Sequence, residues 1–453
     1  MTQSALVMGL GRSGVAAATL LQKQGYQTVV IDEGDGSASL EMREQLHRLH
    51  VEVLARQSVI PSGHFDLVVV SPGIACDNPL VISAQAACEE VISELELGYR
   101  YCACPILAVT GTNGKSTLVE LLHHILCESG MRSQMAGNIG TPLCALVSES
   151  GVLDWLVVEV SSFQLECVQS FHPRGAVFLN LQPDHLDRHQ NMERYFSLKC
   201  RLFARMEKGD IGVVLHDLLP SVQRTVSESG QSGGPDWIGF GNGARTWRYD
   251  AATHAVIGPA GEGGDVSVSV QHTYFDNVVT GQTAAAAVAL AVTCVHLSAS
   301  EVGASLRTFR PLPHRIEIVA EFGGVVFVDD SKATNMAAME AALSMQNRPV
   351  HLIAGGVLKE KDVFGVKQVL KKHASFVYLI GEAAPYLAAA WGDLVPVLLC
   401  GTLEEAIENV FVRVQDGDVV LLSPGCASFD QFRSYAERGE RFASLVTARK
   451  QKT

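Results

Sequence analysis

Residues 110–117 read Thr110-Gly111-Thr112-Asn113-Gly114-Lys115-Ser116-Thr117, after the apolar run Ile106–Val109 and before a helical stretch from Leu118 to Glu128. Strand, glycine loop, Lys-Ser and helix form a cradle for phosphate. The loop N–H groups would face the anion at the helix N-terminus. Lys115 would neutralise the β and γ charges, and the Ser116 hydroxyl would ligate Mg2+. Val109 stands where the usual pattern has its first glycine, so the loop is a variant whose ligand is ATP or GTP. Glu159 closes the apolar run Trp155–Val158, where a carboxylate could hold a metal or orient water. Asp184-His185-Leu186-Asp187-Arg188-His189 follows another apolar run. The two histidines lack the third ligand of a zinc motif, whereas Mg2+ prefers oxygens and tolerates His185 as one ligand beside Glu159. His189 and Asp187 read as a solvated face or a cap. Lys199, between apolar neighbours in a helical stretch, reads on its own as a snorkelling lysine.

Gly9-Leu10-Gly11-Arg12-Ser13-Gly14 follows a short apolar strand, and Asp32 lies 18 residues after Gly14. This fingerprint fits NAD, another nucleotide diphosphate, or a tight strand–helix corner. Near the C-terminal third, Pro313-His314-Arg315 precedes Asp329-Asp330-Ser331-Lys332-Ala333-Thr334-Asn335. Adjacent aspartates at a strand end point to opposite faces. Gly355–Lys359 and Ser423–Phe432 follow two further strands. Three polar strand ends on one edge imply a ligand crevice.

The elements that must position these groups alternate between strand and helix. Strands are expected at Ala5–Gly9, Gln27–Ile31, Phe65–Val70, Ile106–Val109, Trp155–Val160, Ala176–Leu179, Val325–Val328, Val350–Ile353, Phe376–Ile380, Val395–Leu399 and Val419–Leu422. That alternation implies parallel sheets. The Gly- and Ser-rich stretch 227–264 reads as small antiparallel hairpins, and Thr283–His296 as an Ala-rich helix. With 453 residues, 47% of them hydrophobic, the chain has room for about three cores. A net charge of −13 disfavours nucleic acid as a partner. The apolar run Ala284–Val292 is shorter than the ~20 residues of a membrane span. The N-terminus lacks a basic n-region, so no signal peptide is expected. Eleven dispersed cysteines fit reduced thiols in a cytoplasmic protein.

TGTNGKST, EVSSFQLE, the segment from Asn180 to His189, LPHR, DDSKATN, GGVLK and LLSPGCASFDQFRSYAERGERF occur in the order seen in the Mur ligases. The chain resembles that family along essentially its whole length. The phosphate-loop motifs are shared with folylpolyglutamate synthases, whereas DSKATN and SPGCASFDQF…RGERF are similar to the D-glutamate-adding branch. The resemblance implies three α/β domains. Residues 1–95 would form a Rossmann-like domain that holds UDP rather than NAD, 96–310 a P-loop ATPase-like domain with a small antiparallel sheet, and 311–453 a Rossmann-like domain for the amino acid. It implies a cytoplasmic monomer that joins D-glutamate to UDP-N-acetylmuramoyl-L-alanine. ATP would drive the reaction through an acyl phosphate and a tetrahedral intermediate, with two Mg2+ ions.

Position by position, the resemblance assigns Gly111–Thr117 to ATP and Ser116, Glu159 and His185 to metal. Lys199 aligns with a lysine carbamylated in this family, whose carbamate oxygens would join the metal ligands. Arg315 would contact phosphate, Asp330 the ribose, and Lys332 the transferring phosphoryl group. Gly11, Arg12, Ser13, Asp32, Gly73 and Asn138 would hold the UDP-sugar. Thr334, Lys359, Ser428, Phe429 and Tyr435 would place D-glutamate. The family's adenine-contacting Asn has no clear counterpart in FDNVVTGQTAAAA. Gln282 takes its place by distance to His314, with Asn277 as the other candidate.

Overall fold

The computed structural model describes residues 3–34, 40–229, 233–259, 264–359 and 363–450. The chain divides into two compact units. One comprises Met1–Asp276 with Gly281–Phe309, and the other Asn277–Thr280 with Arg310–Thr453.

The first unit contains two parallel sheets. The N-terminal sheet has the order Glu52–Ala55, Gln27–Asp32, Ser4–Met8, Leu67–Val70, Val91–Ser93. Its central strand carries Ala5, Leu6 and Val7 at zero exposure, because helices cover both faces of a parallel sheet. Helix Arg12–Lys23 leaves that strand through the glycine turn. A Cβ on Gly14 would lie 1.9 Å from the Gly9 carbonyl oxygen, so the close helix–turn approach requires glycine there.

Helix Glu94–Tyr101 leads from this sheet to the next, and Ser93 caps it by accepting from the Glu96 N–H. The buried Glu96 carboxylate accepts from the backbone N–H groups of Gln169, Ser170 and Phe171, which bolts the helix to the second sheet. That sheet runs Asp236–Phe240, Ile211–Leu215, Gly175–Phe178, Ile106–Thr110, Trp155–Glu159, Ser133–Gly137, all parallel. The strand ending in the phosphate loop sits between the strand ending in Glu159 and the one leading to Asn180 and His185. Register pairs Val109 with Glu159 and Thr110 with Phe178. Helix Val278–Thr293 is apolar all round, with Ala284–Leu290 at zero exposure inside the core formed with Leu118, Leu121 and Leu122.

The stretch 227–264 holds the expected antiparallel pairing in its second part and differs in its first. Asp236–Phe240 extends the parallel sheet as an edge strand. Among the described residues of that stretch, Arg248–Asp250 and Ala255–Pro259 form the antiparallel ribbon, completed by Asp265–Ser269. The short apolar run 236–240 follows a helix, Leu219–Glu228, and a crossover of that kind favours parallel pairing over a hairpin.

The second unit has one mixed sheet, ordered Glu317–Phe322, Val325–Asp329, Val419–Leu422, Val350–Gly355, Ala374–Ile380, Val397–Gly401. The first pair is antiparallel and closes through Gly323 and Gly324 at φ of 59° and 71°, a left-handed pair that suits a two-residue hairpin. The remaining pairings are parallel.

Candidate active site

In the phosphate loop, Gly111 adopts φ +154° and Gly114 φ +79°, and Gly114 precedes helix Lys115–Glu128. The loop is held open by side chains from the neighbouring strand end. Asn180 Oδ1 accepts from the N–H of Thr112 at 3.0 Å and of Asn113 at 2.9 Å, while its Nδ2 donates to the Asn113 carbonyl. The Thr112 hydroxyl donates to the Gln182 carbonyl, and the Asn113 amide to Gln182 Oε1. Lys115 Nζ donates to the Thr112 carbonyl at 2.7 Å, curled over the loop it would share with a phosphate. Ser116 and Thr117 are buried at the helix start. Thr283 Oγ1 lies 3.8 Å from where a Cβ on Gly114 would sit, so the helix carrying half-buried Gln282 flanks the loop. The Asn277 side chain instead caps that helix, accepting from Val279 and Thr280 and donating to the Thr280 hydroxyl.

Glu159 is 3% exposed. Its Oε1 accepts from Asn138 Nδ2 at 2.8 Å, and its Oε2 has no hydrogen-bond partner among the described residues. A buried carboxylate oxygen left in that state is costly unless a cation or donor completes it. Lys199 is 1% exposed; its Nζ donates to the Gly111 carbonyl at 2.7 Å and sits 4.4 Å above the Tyr195 ring. Burial, reinforced by Lys115 and opposed by Asp184 and Glu159, holds the Lys199 amine well below the usual lysine range. The snorkelling reading is therefore overturned: the amine points into the site, not to solvent.

His185 has φ +52° and precedes the short turn Leu186–His189. It lies 3.5 Å from Asp184 and edge-on to Phe163. His189 corrects the expectation of a solvated face or cap, because it is fully buried. It stacks between Phe163 and Tyr195, and its Nε2 shares a hydrogen bond with the Ser162 hydroxyl at 2.9 Å. Burial pushes its imidazole down to about 4. The side chain of Asp187, read with it as a face or cap, lies outside the described residues.

In the N-terminal sheet, Asp32 turns its carboxylate onto the glycine turn. Oδ2 accepts from the Leu10 N–H and Oδ1 from the Gly34 N–H, both at 2.8 Å. Gly11 and Arg12 are exposed, Ser13 is half-buried, and Arg12 donates to the Gly140 carbonyl. Gly73 is exposed and faces open space. Arg188 links the loop around Gly73 to the central sheet, donating to the carbonyls of Pro72 and Ile74 and to Glu166.

In the second unit, the adjacent aspartates point apart, as expected. Asp329 accepts from His314 Nδ1 at 2.7 Å, whereas Asp330 accepts from the Ser423 hydroxyl at 2.7 Å and from the Ile316 N–H. Burial pushes the Asp330 carboxyl up to about 7, with Ser423 opposing. His314 and Ile316 flank half-buried Arg315 at φ +65° and +51°, left-handed values that are strained for a β-branched side chain. Lys332 Nζ lies 4.4 Å above the Tyr435 ring. Thr334 is half-buried, Ser428 buried, Lys359 exposed and Phe429 73% exposed.

Sequence reasoning missed Asn180, Gln182, Tyr195 and Arg438. Arg438 is 1% exposed and donates to Ser331 Oγ, the Ser331 carbonyl and the Cys426 carbonyl. It pins the Asp330–Thr334 loop to the Ser423–Phe432 loop. A charged residue inside an otherwise exposed-looking helix carries no signal for this in the linear pattern. Asn180 and Gln182 do have one: polar residues alternate with Leu179 and Leu181 at a strand end facing a phosphate loop.

A phosphate cradle at the centre of a parallel sheet, with a parallel-sheet domain before it and a mixed α/β domain after it, defines a nucleotide-dependent α/β enzyme. Residues 3–93 match the Mur ligase MurD-like N-terminal domain, 109–291 the Mur ligase middle domain, and 314–426 the glutamate ligase domain of Mur ligases. The UDP-N-acetylmuramoylalanine–D-glutamate ligase of Geobacter metallireducens is 36% identical over 98% of this chain and 97% of its own. That of Geotalea uraniireducens is also 36% identical, over 98% and 97%. Among solved structures, MurF from Acinetobacter baumannii superposes with a TM-score of 0.63 at 16% identity, covering 93% of this chain and 91% of its own. MurF from Thermotoga maritima, in complex with ADP, gives 0.62 at 18%, covering 93% and 95%. The chain belongs to the Mur ligase family.

Proposed function

We propose that the protein joins D-glutamate to UDP-N-acetylmuramoyl-L-alanine at the expense of ATP, in the cytoplasmic synthesis of peptidoglycan precursors. The reading follows from the relatives' activity and from one observation: the phosphate loop, the half-satisfied Glu159 and the buried Lys199 converge on adjacent strand ends. The proposed division of labour places UDP in residues 1–95, ATP in 96–310 and the amino acid in 311–453, in a monomer.

The substrate carboxylate attacks the γ-phosphorus of ATP and ADP leaves, giving an acyl phosphate. The D-glutamate amine attacks that carbonyl, the tetrahedral intermediate collapses, and phosphate departs. Each step crowds negative charge, so catalysis here is mostly positioning and neutralisation. Gly111–Thr117 cradle the ATP phosphates, and Lys115 exchanges the Thr112 carbonyl for phosphate oxygens. Gln282 is the first unit's candidate for the nucleoside; in the second unit the resemblance implies Asp330 for the ribose, and Arg315 and Lys332 for drawing charge from the phosphoryl group. Asn138 ties the sugar-nucleotide side to Glu159, with Gly11, Arg12, Ser13, Asp32 and Gly73 around the uridine. Thr334, Lys359, Ser428, Phe429 and Tyr435 orient D-glutamate.

The unpartnered Glu159 Oε2 fits a divalent cation, and the depressed Lys199 amine fits capture of CO2 as a carbamate with release of a proton. Ser116, Glu159, His185 and that carbamate would hold two Mg2+ ions, which when bound neutralise phosphate oxygens. The test is phosphate release from ATP with the UDP-sugar acceptor, comparing D-glutamate with L-glutamate, L-lysine, meso-diaminopimelate and no amino acid. Release that depends on D-glutamate is expected. Equal release with another amino acid, or none with any, would overturn the reading.

A further inference from the structure

The loop that follows Gly73 and the short turn that follows Glu159 meet through two cysteines. Cys76 lies in the first and Cys167 ends the turn Gln164–Cys167. Their Sγ atoms are 2.7 Å apart, although 91 residues separate them in the chain. Both are partly accessible to solvent. Neither belongs to the proposed catalytic or binding set.

We infer that Cys76 and Cys167 form a reversible disulfide that clamps the Gly73 loop to the turn beyond Glu159. The two sulfurs already face each other, and closing from 2.7 Å to the roughly 2.05 Å of an S–S bond asks for a shift of only about 0.7 Å. On one side Arg188 grips the Pro72 and Ile74 carbonyls. On the other, Arg201 donates to the carbonyls of Glu166 and Val168, immediately flanking Cys167. The Cys76 N–H is itself 3.3 Å from Glu166 Oε2, which Arg188 also engages, so one network fixes both strands of the contact.

The surroundings also set which sulfur reacts first. The contact with Cys76, with help from Arg201 and Arg188, lowers the Cys167 thiol below the usual range, while the same contact and burial raise Cys76. The positive charge of Arg201 and Arg188 beside Cys167 favours its thiolate, so the step starts with Cys167 attacking. A peroxide is the matching oxidant. The Cys167 thiolate attacks one peroxide oxygen, the O–O bond breaks and water leaves, giving a sulfenic acid. The Cys76 sulfur then attacks the Cys167 sulfur, the S–O bond breaks, and a second water carries off the oxygen and the thiol proton. Two thiols are oxidised and one peroxide is reduced. A dithiol reductant reverses the reaction by exchange.

The rival pair is Cys102 and Cys104, whose Sγ atoms are 3.8 Å apart. The spacing of two residues closes a much smaller ring, which leaves the longer-range pair better placed.

The test treats the full-length protein with a stoichiometric amount of hydrogen peroxide, then maps unreduced peptides by mass spectrometry. The expected result is loss of two titratable thiols and one cross-linked species containing Cys76 and Cys167, about 2 Da lighter than the two peptides together. Dithiothreitol should restore both thiols. Cys76→Ser should stop at a trappable sulfenic acid on Cys167, and Cys167→Ser should leave Cys76 as a thiol. A cross-link confined to Cys102 and Cys104, or oxidation of Cys167 with Cys76 still free in the unmutated protein, would overturn the inference. The readout needs no turnover, so it stands or fails independently of the proposed reaction.

Discussion

Substituting Gly14 by alanine tests the first turn directly. The new Cβ would sit 1.9 Å from the Gly9 carbonyl oxygen and 3.0 Å from its carbon. A carbon and an oxygen need roughly 3.2 Å, so the turn must retreat by more than an ångström, since backbone cannot rotate away as a side chain can. That retreat pulls on two anchors: the Gly9 N–H bonded to the Ile31 carbonyl at 2.8 Å and the Leu10 N–H bonded to Asp32 Oδ2 at 2.8 Å. Overpacking of this kind costs about 1–3 kcal/mol and each weakened hydrogen bond about 1 kcal/mol. We therefore expect about 3 kcal/mol of destabilisation, read as a lower urea midpoint with an unchanged slope. Because the phosphate loop lies on the other sheet, ATP binding measured by calorimetry should change little, while KM for the UDP-sugar rises. A variant within 0.5 kcal/mol of the parent, with KM unaltered, would refute both the steric argument and the role of this turn.

Three further substitutions probe the central sheet. Lys199→Ala should lower kcat by at least about 100-fold. Bicarbonate should not restore it, whereas a short carboxylic acid that replaces the carbamate should; full activity without additive would dismiss the carbamate. Asn180→Ala removes the acceptor shared by the Thr112 and Asn113 N–H groups, so KM for ATP should rise several-fold while KM for the UDP-sugar holds. His189 carries a pH signature. Its folded-state value of about 4 lies below the ordinary 6.5, so below pH 6.5 the unfolded chain takes up a proton that the folded chain refuses. Stability from this residue is present above pH 6.5 and is lost progressively as pH falls towards 4, by about 1.36 kcal/mol per unit at most. Urea midpoints at pH 7 and 5 should therefore converge more in His189→Gln than in the parent, and an equal drop in both would count against it.

The phosphate loop was legible because glycine, lysine and hydroxyl occur at fixed spacing after an apolar run. The strands Gln27–Asp32 and Val419–Leu422 were legible for a related reason: the first has a β-branched centre, Thr28–Ile31, and the second is an apolar run buried on both faces. Glu317–Phe322 escaped notice because none of its positions is fully buried, Ile318 and Glu321 are exposed, and its partner comes through a glycine pair. Lys199 shows the limit of local reading. From its neighbours alone it looks like an amphipathic side chain reaching for water. Only the resemblance to carbamylated lysines reversed that reading, and the contact with the Gly111 carbonyl now supplies the physical reason. His189 was misjudged because its burial depends on Phe163 and Tyr195, residues brought to it by the fold rather than by the chain.

Arg438 has a consequence for the order in which the molecule can mature. Its guanidinium is the staple between the Asp330–Thr334 loop and the Ser423–Phe432 loop, yet it lies in the last helix, Tyr435–Lys450. A nascent chain emerging from the ribosome can complete the phosphate loop, the Glu159 strand and the Lys199 helix long before this residue is made. The loop bearing Asp330 and Lys332 must wait for it. A chain that lacked the helix Tyr435–Lys450 would therefore keep a finished nucleotide cradle beside a loop with no latch, so the two halves of the chemistry mature on separate schedules.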